Sequence, residues 1–471
     1  MDIIAKIEQL FEAHFKKQAN SIDLLPQSGS NRCYYRITSE SKTYIASFNE
    51  DVKENNAFFS FTDTFKKSKL AVPEVFCISD EKKIYIQEDL GDTTLFGILE
   101  ENRSNDEISD ETIGLYKKVL KQLPNFQING GKNIDYSHCY PRANFDKQSM
   151  MWDLNYFKYY FLKLAGIVFD EQKLEDDFQT FTNYLLTAES DYFLYRDFQS
   201  RNIMIKDNEP YFIDYQGGRK GALQYDLASL LYDAKANLPE QLRKELLNFY
   251  IEQLRDYKKV DKQEFLNHYY GFVLIRIMQA MGAYGFRGFY EKKEHFLLSI
   301  PYALNNLENI LKHEKLPIEI PTLWSVLKQL TTNEKLKNIN HKKLHIQLNS
   351  FSFKKGIPQD LSGNGGGFVF DCRFLPNPGR YDEYKTLNGK DKEVIEYLEK
   401  EVEVGEFLTN CFKILDKSVA MYVSRNFSSL MINFGCTGGQ HRSVYCAERT
   451  AKHLREKFDV KISLKHIEQD K

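Results

Sequence analysis

Hydrophobic and polar positions in the first part of this chain follow two different periods. Residues 1–17 place apolar side chains every three to four positions, which predicts an amphipathic helix. Alternating apolar and polar residues over 31–38, 42–49 and 82–90 predict three short strands. The spacing over 54–69 is helical again. After the first helix, the predicted element order is therefore β-β-α-β.

Helical periodicity dominates the middle of the chain. It extends from about 106 to 186 and returns over 223–312. Between these regions, 192–197 and 209–216 read as two short strands, and Asp207 with Asn208 supplies the residues of a tight hairpin turn. A small β-rich lobe followed by a helical lobe is the predicted arrangement.

A polar stretch separates this region from a second type of pattern. Residues 333–343 carry charge without apolar periodicity, as a linker does. Beyond it, strand-like segments at 344–353, 366–375 and 428–436 alternate with helical ones, which predicts an α/β sheet. The glycine-rich run at 363–367 precedes a strand and is interpreted as a flexible loop, with a phosphate cradle as the alternative. We expect domains at 1–95, 96–332 and 344–471.

Composition narrows the class of protein. The 471 residues are enough for two or three cores, and 64 Lys and Arg against 66 Asp and Glu give a net charge of -2, so nucleic acid is not attracted by overall charge. Seven scattered cysteines without a C-x-x-C pair indicate reduced thiols in the cytoplasm. No uninterrupted apolar stretch reaches ~18 residues, so no membrane partner is expected. Oligomeric state is not predicted.

A candidate catalytic loop follows the first of the two short strands in the middle region. Asp197 precedes Asn202 by five residues, and Asp214 follows the second strand. Phosphoryl transfer needs a carboxylate to take the acceptor's proton, and an amide with a second carboxylate to hold magnesium. We expect Asp197 to be the base and Asn202 and Asp214 to be metal ligands. The alternative is structural, with these residues serving a turn, a loop and a strand end.

Two upstream segments are candidates for binding nucleotide. Gly29, Ser30 and Arg32 lie between a helix and a strand, where main-chain amides and hydroxyls can close over phosphates, although an ordinary turn uses the same residues. Glu88 and Leu90 follow the third strand, where a hinge between lobes would hydrogen-bond adenine, or where a strand simply ends.

Several segments of the first 330 residues resemble a known enzyme superfamily. GSNRCYYRI, YIQEDLGDTTL, YRDFQSRNIMI, FIDYQGG and YDLASLLYDA make residues 1 to about 330 resemble the aminoglycoside phosphotransferase and choline kinase superfamily. Within it, the chain is similar to bacterial kinases that phosphorylate the anomeric hydroxyl of cell-wall amino sugars. The resemblance implies a bilobal protein-kinase-like fold, ATP and magnesium, a substrate contact at Gln216 and a structural role for Asp226.

One residue of the kinase pattern is missing. The strand over 42–49 should carry a Lys that binds the α- and β-phosphates, yet there is none around Ser47. Arg32 and Lys53 are the two candidates to supply that charge.

A second candidate site lies in the C-terminal part. A strand, a glycine-rich turn and a helix start follow one another over 428–444, an order that aims free amides at an anion. The alternative is a tight turn capped by Ser443. Asp371 and Arg373 are expected on one face of a strand, with a local ion pair as the neutral interpretation. The candidate phosphate ligands are Asp371, Arg373, Thr437, Gly438, Gly439, His441, Arg442 and Ser443.

This part also carries a resemblance. SFSFKKG, FDCRFLPNP, LNGKDKEV and GCTGGQHRSVYCAE make residues 343 to 460 resemble the C-terminal domain of the RNase adapter RapZ. That resemblance implies an α/β domain that senses glucosamine-6-phosphate and contacts RNA or a protein partner. RNA is the less favoured partner because the tail after 456 mixes acidic with basic residues.

Both halves point to amino sugars. We expect a cytoplasmic ATP-dependent kinase for the anomeric hydroxyl of N-acetylmuramate or N-acetylglucosamine in cell-wall recycling, with a C-terminal module that senses a hexosamine phosphate. One alternative is a pseudokinase-type regulatory protein that binds nucleotide, sugar phosphate and RNA or a partner. The other is a kinase for an aminoglycoside or a small amino alcohol.

Overall fold

The computed structural model divides the chain into two compact units. The first comprises Met1–Glu291 and Tyr302–Asn333, and the second Lys292–Pro301 and Glu334–Lys471. The structure describes residues 3–26, 32–104, 107–339, 343–360, 366–424 and 427–469.

Both units contain α-helices, which are numbered in chain order. The α-helices are α1 Ile3–Phe15, α2 Val52–Lys67, α3 Leu95–Glu101, α4 Asp110–Pro124, α5 Gly131–Asn133, α6 Lys147–Phe157, α7 Glu171–Leu185, α8 Leu223–Leu231, α9 Glu240–Leu254, α10 Lys262–Tyr284, α11 Glu294–Leu297, α12 Ile300–His313, α13 Pro321–Thr331, α14 Glu334–Lys337, α15 Lys392–Lys400, α16 Val402–Ser424 and α17 Arg442–Lys457. Of these helices, α11 and α14 to α17 belong to the second unit. Within the described part of the chain, no helix has the length and apolar character needed to cross a membrane.

The strands are short in the first unit and longer in the second. They are β1 Ser21–Leu24, β2 Cys33–Ser39, β3 Lys42–Phe48, β4 Val75–Ile78, β5 Ile84–Glu88, β6 Arg103–Ser104, β7 Glu107–Ile108, β8 Tyr192–Leu194, β9 Ile203–Lys206, β10 Glu209–Phe212, β11 Arg219–Gly221, β12 His345–Ser352, β13 Gly367–Asp371, β14 Ser429–Cys436 and β15 Lys461–His466.

Aspartates set the starts of several helices. Asp51, Asp146, Asp170 and Asp261 each accept a main-chain N–H from the first turn of α2, α6, α7 and α10. A carboxylate at this position satisfies a donor that the helix leaves unpaired and is worth about 1 kcal/mol.

The N-terminal sheet has five antiparallel strands in the order β1-β2-β3-β5-β4. Three of them match the predicted strands, whereas β1 and β4 were missed because four-residue segments carry too little alternation. Ile7 and Phe11 of α1 are fully buried against Ile37 and Ile86 of the sheet. The predicted amphipathic helix therefore covers one face of this lobe.

A cluster of aromatic rings fixes the centre of the first unit. The ring of Tyr215 stacks on Phe58 of α2 at 5.2 Å between centroids, and its hydroxyl lies 2.6 Å from Thr62 Oγ1. Tyr195 donates from its hydroxyl to the carbonyl of Ile213 at 2.6 Å. These contacts hold the two segments that carry the candidate catalytic residues against each other.

The predicted hairpin is present. β9 and β10 pair antiparallel, and Asp207 and Asn208 take φ angles of 53° and 61° in the connecting turn. Positive φ at both positions is the conformation of a tight hairpin turn, which Asn and Asp tolerate.

The second unit contains a four-stranded parallel sheet in the order β13-β14-β12-β15. Three of these strands were predicted. β15 was missed because its alternating positions are exposed and half-buried, with a buried residue only at His466. Part of the predicted linker is helical, since α14 spans Glu334–Lys337. Most of the glycine-rich run at 363–367 lies outside the described residues.

Candidate active site and phosphate loop

Asp226, in the first turn of α8, holds the candidate catalytic loop in place through hydrogen bonds to its main chain. Its carboxylate accepts the main-chain N–H groups of Tyr195 at 2.8 Å and Arg196 at 3.1 Å, and a side-chain N–H of Gln127 at 3.2 Å. Asp226 is fully buried, and this burial raises its pKa to about 7. The sequence predicted a structural role for Asp226, and these hydrogen bonds describe it.

Arg196 fixes the other side of the loop. Its backbone has a φ of 82°, a conformation that costs energy in a residue with a side chain. The guanidinium donates to both carboxylate oxygens of Asp153, at 2.7 and 2.9 Å, and to the Tyr225 hydroxyl at 2.8 Å. A bidentate pair of this kind is geometrically specific, so it holds the strained residue that directly precedes Asp197.

The three predicted catalytic residues lie together. The side-chain amide of Asn202 donates to the main-chain carbonyl of Asp197 at 2.9 Å and to the carboxylate of Asp214 at 3.1 Å. Asp214 also has a positive φ of 69°, directly after Ile213. Asn202 is therefore the bridge between the predicted base and the second predicted metal ligand.

The charges of this group suit a divalent cation. Among the described residues no Lys or Arg forms an ion pair with Asp197 or Asp214, and burial together with the charge of Asp197 raises the pKa of Asp214. Among the described residues, no three His, Cys, Asp or Glu side chains form a cluster that could hold a metal. The protein would thus supply Asp214 and the amide oxygen of Asn202, which fits magnesium because it keeps water and phosphate oxygens as its other ligands.

Arg32 brings a positive charge to the same place. It is 5% exposed, and its Nη2 lies 3.2 Å from Oε1 of Glu54 on α2. The side-chain amide of Gln216 donates to Glu54 at 3.3 Å and to Asp214 at 2.6 Å. Arg32, Glu54, Gln216 and Asp214 therefore form one connected polar row.

Several polar atoms in this row are buried without a hydrogen-bond partner. They include Nε of Arg32 and Oε1 of Gln216. Buried donors and acceptors are costly when unpaired, so such atoms at a candidate site indicate that a ligand completes them. Lys53, the other candidate cation, has its ammonium 5.7 Å from the ring centroid of Tyr140 instead.

The two predicted hinge residues, Glu88 and Leu90, differ in their hydrogen bonding. The carboxylate of Glu88 accepts from Lys206 Nζ at 2.9 Å, and its main-chain N–H donates to Glu74 at 2.8 Å. Leu90 is 7% exposed, and its main chain forms no hydrogen bond with any residue the structure describes. Of the two, Leu90 is free to pair with a base. Gly29 and Ser30 lie outside the described residues.

A buried arginine, Arg219, follows Gly217 by two residues. Arg219 is 7% exposed, and its guanidinium donates only to the main-chain carbonyl of Gly217, at 3.0 and 3.2 Å. A Cβ added to Gly217 would be 3.9 Å from Oδ2 of Asp197. Within the described ranges no carboxylate forms an ion pair with Arg219, and burial and the nearby charge of Arg196 lower its pKa. Arg219 therefore has no carboxylate in an ion pair among the described residues, and the nearby Gly217 is the residue that lies close to the predicted base.

Sequence reasoning missed Glu54, Asp153 and Arg219. Glu54 had a signal, namely its place in the first turn of the helix after β3. Asp153 and Arg219 had none, because their roles depend on contacts with Arg196 and Gly217 that the chain makes only when folded.

In the second unit, β14 ends at Cys436 and α17 begins at Arg442. The helix was expected to start near Val444, so it begins two residues earlier. Its first residue, Arg442, is 5% exposed and donates from Nη1 to the carbonyls of Arg373 at 2.6 Å and Leu375 at 2.9 Å. The loop and the segment after β13 are thereby brought together.

Asp371 and Arg373 form the local ion pair, with 2.6 Å between Oδ2 and Nη2. Their expected position on one face of a strand is wrong, because β13 ends at Asp371 and the chain turns there. His441 lies before the helix, and its ring Nε2 is 2.9 Å from the carbonyl of Tyr384.

The remaining loop residues leave room for a ligand. A Cβ at Gly438 would meet no atom within 4 Å, and Gly439 has a φ of 71° that favours glycine. Ser352 donates to the carbonyl of Thr437 at 2.7 Å and fixes the start of the loop.

Two family models match this chain without overlapping. The model of the phosphotransferase enzyme family matches residues 21–262. The model of the RapZ C-terminal domain matches residues 344–470.

Curated relatives match a smaller share of the chain. A nucleotide-binding protein of Xanthomonas axonopodis pv. citri is 40% identical over 131 residues, which is 28% of this chain and 45% of the relative. One from Histophilus somni is 35% identical over 166 residues, or 35% of this chain and 56% of the relative. This chain spans about half the length of these relatives.

Two of the solved structures that are similar to this chain are kinases. A choline kinase from Cryptosporidium parvum covers 69% of this chain and 99% of its own, with 12% identity and a TM-score of 0.47. Amicoumacin kinase in complex with AMP-PNP, Ca2+ and Ami covers 69% of this chain and 100% of its own, with 12% identity and a TM-score of 0.46.

Proposed function

Because this chain belongs to the phosphotransferase enzyme family and ends in a RapZ C-terminal domain, we propose that it transfers a phosphoryl group from ATP to an amino sugar in the cytoplasm. The observation that carries this proposal is the side chain of Asn202, which joins Asp197 and Asp214 in one group. A protein that only held nucleotide would need neither a base nor paired metal ligands.

The residues of the candidate active site have separate tasks in this reaction. Asp197 accepts the proton of the attacking hydroxyl, held in place by Arg196 and Asp226 through the main chain. Asn202 and Asp214 would hold magnesium, which neutralises charge on the transferred phosphate when bound. Arg32 supplies the positive charge that Ser47 does not, and Glu54 orients it.

We propose that the acceptor is an anionic sugar whose charge is met by Arg219. Arg219 is buried and lacks a carboxylate partner among the described residues, so an acceptor that brings its own carboxylate would compensate the charge. N-acetylmuramate carries such a group and N-acetylglucosamine does not. A cationic aminoglycoside would be repelled. We therefore place N-acetylmuramate ahead of N-acetylglucosamine, with the anomeric hydroxyl as acceptor in cell-wall recycling.

The second unit is proposed to bind a hexosamine phosphate. Support comes from the loop between β14 and α17, where glycines, a helix N-terminus and the buried Arg442 lie together. In this reading the module senses a product or a later metabolite of the same pathway, and RNA is not its main ligand.

Phosphorus NMR of the full chain with ATP, magnesium and either sugar tests the kinase proposal. We expect a sugar-1-phosphate signal that Asp197→Asn lowers by about 100-fold or more. Asp207→Asn is the matched control, since Asp207 lies in the exposed β9–β10 turn and Asn also adopts its conformation. ATP that binds but stays intact with every sugar would contradict the proposal and favour the pseudokinase alternative.

A further inference from the structure

A cleft in the helical part of the first unit shares no residue with the candidate active site. Its volume is about 450 Å³, and residues of β6, of α12 and of the N-terminal end of α9 line it. All of these residues belong to the first unit. Three of them are cations, namely Arg103, Arg243 and Lys312. The cleft is therefore a separate place where this unit can hold a ligand.

The two arginines bind the same short segment of main chain. Arg103 donates from Nη2 to the carbonyl of Ala236, and Arg243 donates from Nε to the carbonyl of Leu238 at 2.8 Å. Asn237, between these two acceptors, has a φ of 41°, which is uncommon for a residue with a side chain. Both guanidinium groups are thereby held at the segment that leads into α9.

Each arginine keeps a buried donor that is not used. Arg243 is 6% exposed, and its Nη1 has no hydrogen-bond partner. Nε of Arg103 is also buried without a partner. A buried donor without an acceptor costs free energy, and native structures seldom leave one in that state. Since no described residue accepts from these two atoms, they indicate that a ligand supplies the acceptor.

The carboxylates of the cleft are paired with other cations. Glu240 forms an ion pair with Lys244, one turn later in α9, and Glu308 forms one with Lys312 at 2.7 Å. Among the residues that the structure describes, no carboxylate forms an ion pair with either arginine of the cleft. The charge of the two arginines is thus left for an anion that enters from outside.

The start of α9 provides main-chain donors beside the arginines. Pro239 precedes the first helical residue, and no side chain caps this 15-residue helix. The main-chain N–H groups of Glu240, Gln241 and Leu242 have no acceptor in the described part of the chain. Free N–H groups and the helix dipole attract anions to such an end. The helix end and the two arginines therefore point independently to the same kind of ligand.

From these observations we propose that the cleft binds a phosphate monoester of a small molecule that carries hydroxyl groups. The guanidinium groups and the start of α9 hold the phosphate, because the fork of an arginine matches two phosphate oxygens. The side-chain amides of Asn237, Asn305 and Asn309 line the same cleft and can hydrogen-bond the hydroxyl groups. The cleft volume lies within the range of sites for small molecules, ~300–1,000 Å³.

Hydrogen–deuterium exchange of the full chain, read by mass spectrometry, tests this site with glycerol 3-phosphate. The amides of Glu240, Gln241 and Leu242 should exchange about 10-fold more slowly when the ester is present at ten times its Kd, since a bound amide exchanges only after the ligand leaves. Sodium chloride at the same ionic strength should not protect them.

Two variants and a matched control connect the protection to the cleft. Arg103→Gln and Arg243→Gln should each raise the Kd obtained from the exchange titration by about 10-fold or more. Lys117→Gln removes the same charge and should leave the Kd unchanged, because Lys117 pairs with Glu245 of α9 and does not line the cleft. Arg103→Gln decides the matter if the buried Arg243 proves necessary for folding.

The position of the protected amides distinguishes this cleft from other phosphate sites on the chain. No protection at the start of α9 with up to about 10 mM ester, or protection that survives Arg103→Gln in protein with a normal melting temperature, would overturn the site. Equal protection by inorganic phosphate would overturn the assignment to an ester. The kinase proposal is independent of these results and is tested by its own NMR experiment.

Discussion

Arg32 and Glu54 form an ion pair of 3.2 Å at the edge of the candidate active site, although they come from different elements. Arg32 precedes β2, and Glu54 lies in α2. Gln216 connects Glu54 of this pair to Asp214 through its side-chain amide. In the proposed kinase reaction, Arg32 takes the part of the lysine that is missing from the kinase pattern.

Replacing Arg32 tests that compensation. Arg32→Ala should raise the KM for ATP by about 10-fold or more, since a hydrogen-bonded charge is worth ~1.5–3 kcal/mol. Arg32→Lys should recover part of the loss. Steady-state kinetics with varied ATP measures the effect, and Lys53→Ala is the control because Lys53 lies near Tyr140. An unchanged KM in Arg32→Ala, in protein with a normal melting temperature, would assign the phosphate charge to another group.

Arg219 should separate the two candidate sugars. Arg219→Met keeps much of the side-chain volume and removes the charge, so the KM for N-acetylmuramate should rise by about 10-fold or more. The KM for N-acetylglucosamine should change little, because that sugar has no carboxylate. Equal losses for both sugars would mean that Arg219 supports the fold around Gly217 and does not recognise an anion.

The stability of the first unit should depend on the protonation of Asp226. Its pKa is about 7 in the folded chain and 3.8 ordinarily, so the protonated form is favoured by folding. This contribution is complete below pH 3.8 and is lost as the pH rises towards 7, by up to about 1.4 kcal/mol per pH unit.

Urea unfolding across this range checks the assignment. Asp226→Asn cannot ionise, so its free energy of unfolding should vary less with pH than that of the parent chain. The variant will also be less stable overall, because an amide cannot accept all the hydrogen bonds from Tyr195, Arg196 and Gln127. Parallel pH profiles for the two proteins would show that Asp226 ionises normally in the fold.

Binding to the second unit should require the guanidinium of Arg442. The guanidinium of Arg442 donates to two main-chain carbonyls, and in the proposed complex it also binds the phosphate. Lysine lacks this forked set of donors, so Arg442→Lys should weaken the binding of glucosamine-6-phosphate by about 10-fold or more. Arg449→Lys, on the same helix and paired with Glu399, is the control. Isothermal titration calorimetry measures the affinity of both variants for glucosamine-6-phosphate. Wild-type affinity in Arg442→Lys would place the ligand away from this loop.

Much of the fold was predictable because its main elements have strong periods. The family models and the helical lobe agree with the predicted kinase-like fold and C-terminal α/β domain. β1, β4 and β15 were missed for a physical reason. They are four to six residues long and lack fully buried alternating positions, apart from His466, so their place is decided by pairing with a neighbouring strand.

The sequence predicted several members of the candidate site, Arg32 and Asp214 among them, but it predicted contacts only between residues that are close in sequence. Asp197 and Asn202 share one loop, and their link through the Asn202 amide follows from that. The ion pair of Arg32 with Glu54 and the bidentate pair of Arg196 with Asp153 join residues 22 and 43 positions apart. Such contacts depend on packing, which no local pattern specifies.

The parallel sheet of the second unit has a consequence for synthesis on the ribosome. The first residue of β12, His345, pairs with Ser429 of β14 and with Lys461 of β15. β2 and β3, in contrast, pair through a two-residue turn and can form as soon as both have been translated. β12 must therefore wait, as an unpaired strand with exposed backbone, until some 80 further residues emerge, and closing so long a loop makes its folding slow. A nascent chain paused in this interval presents an unpaired strand edge, which favours aggregation.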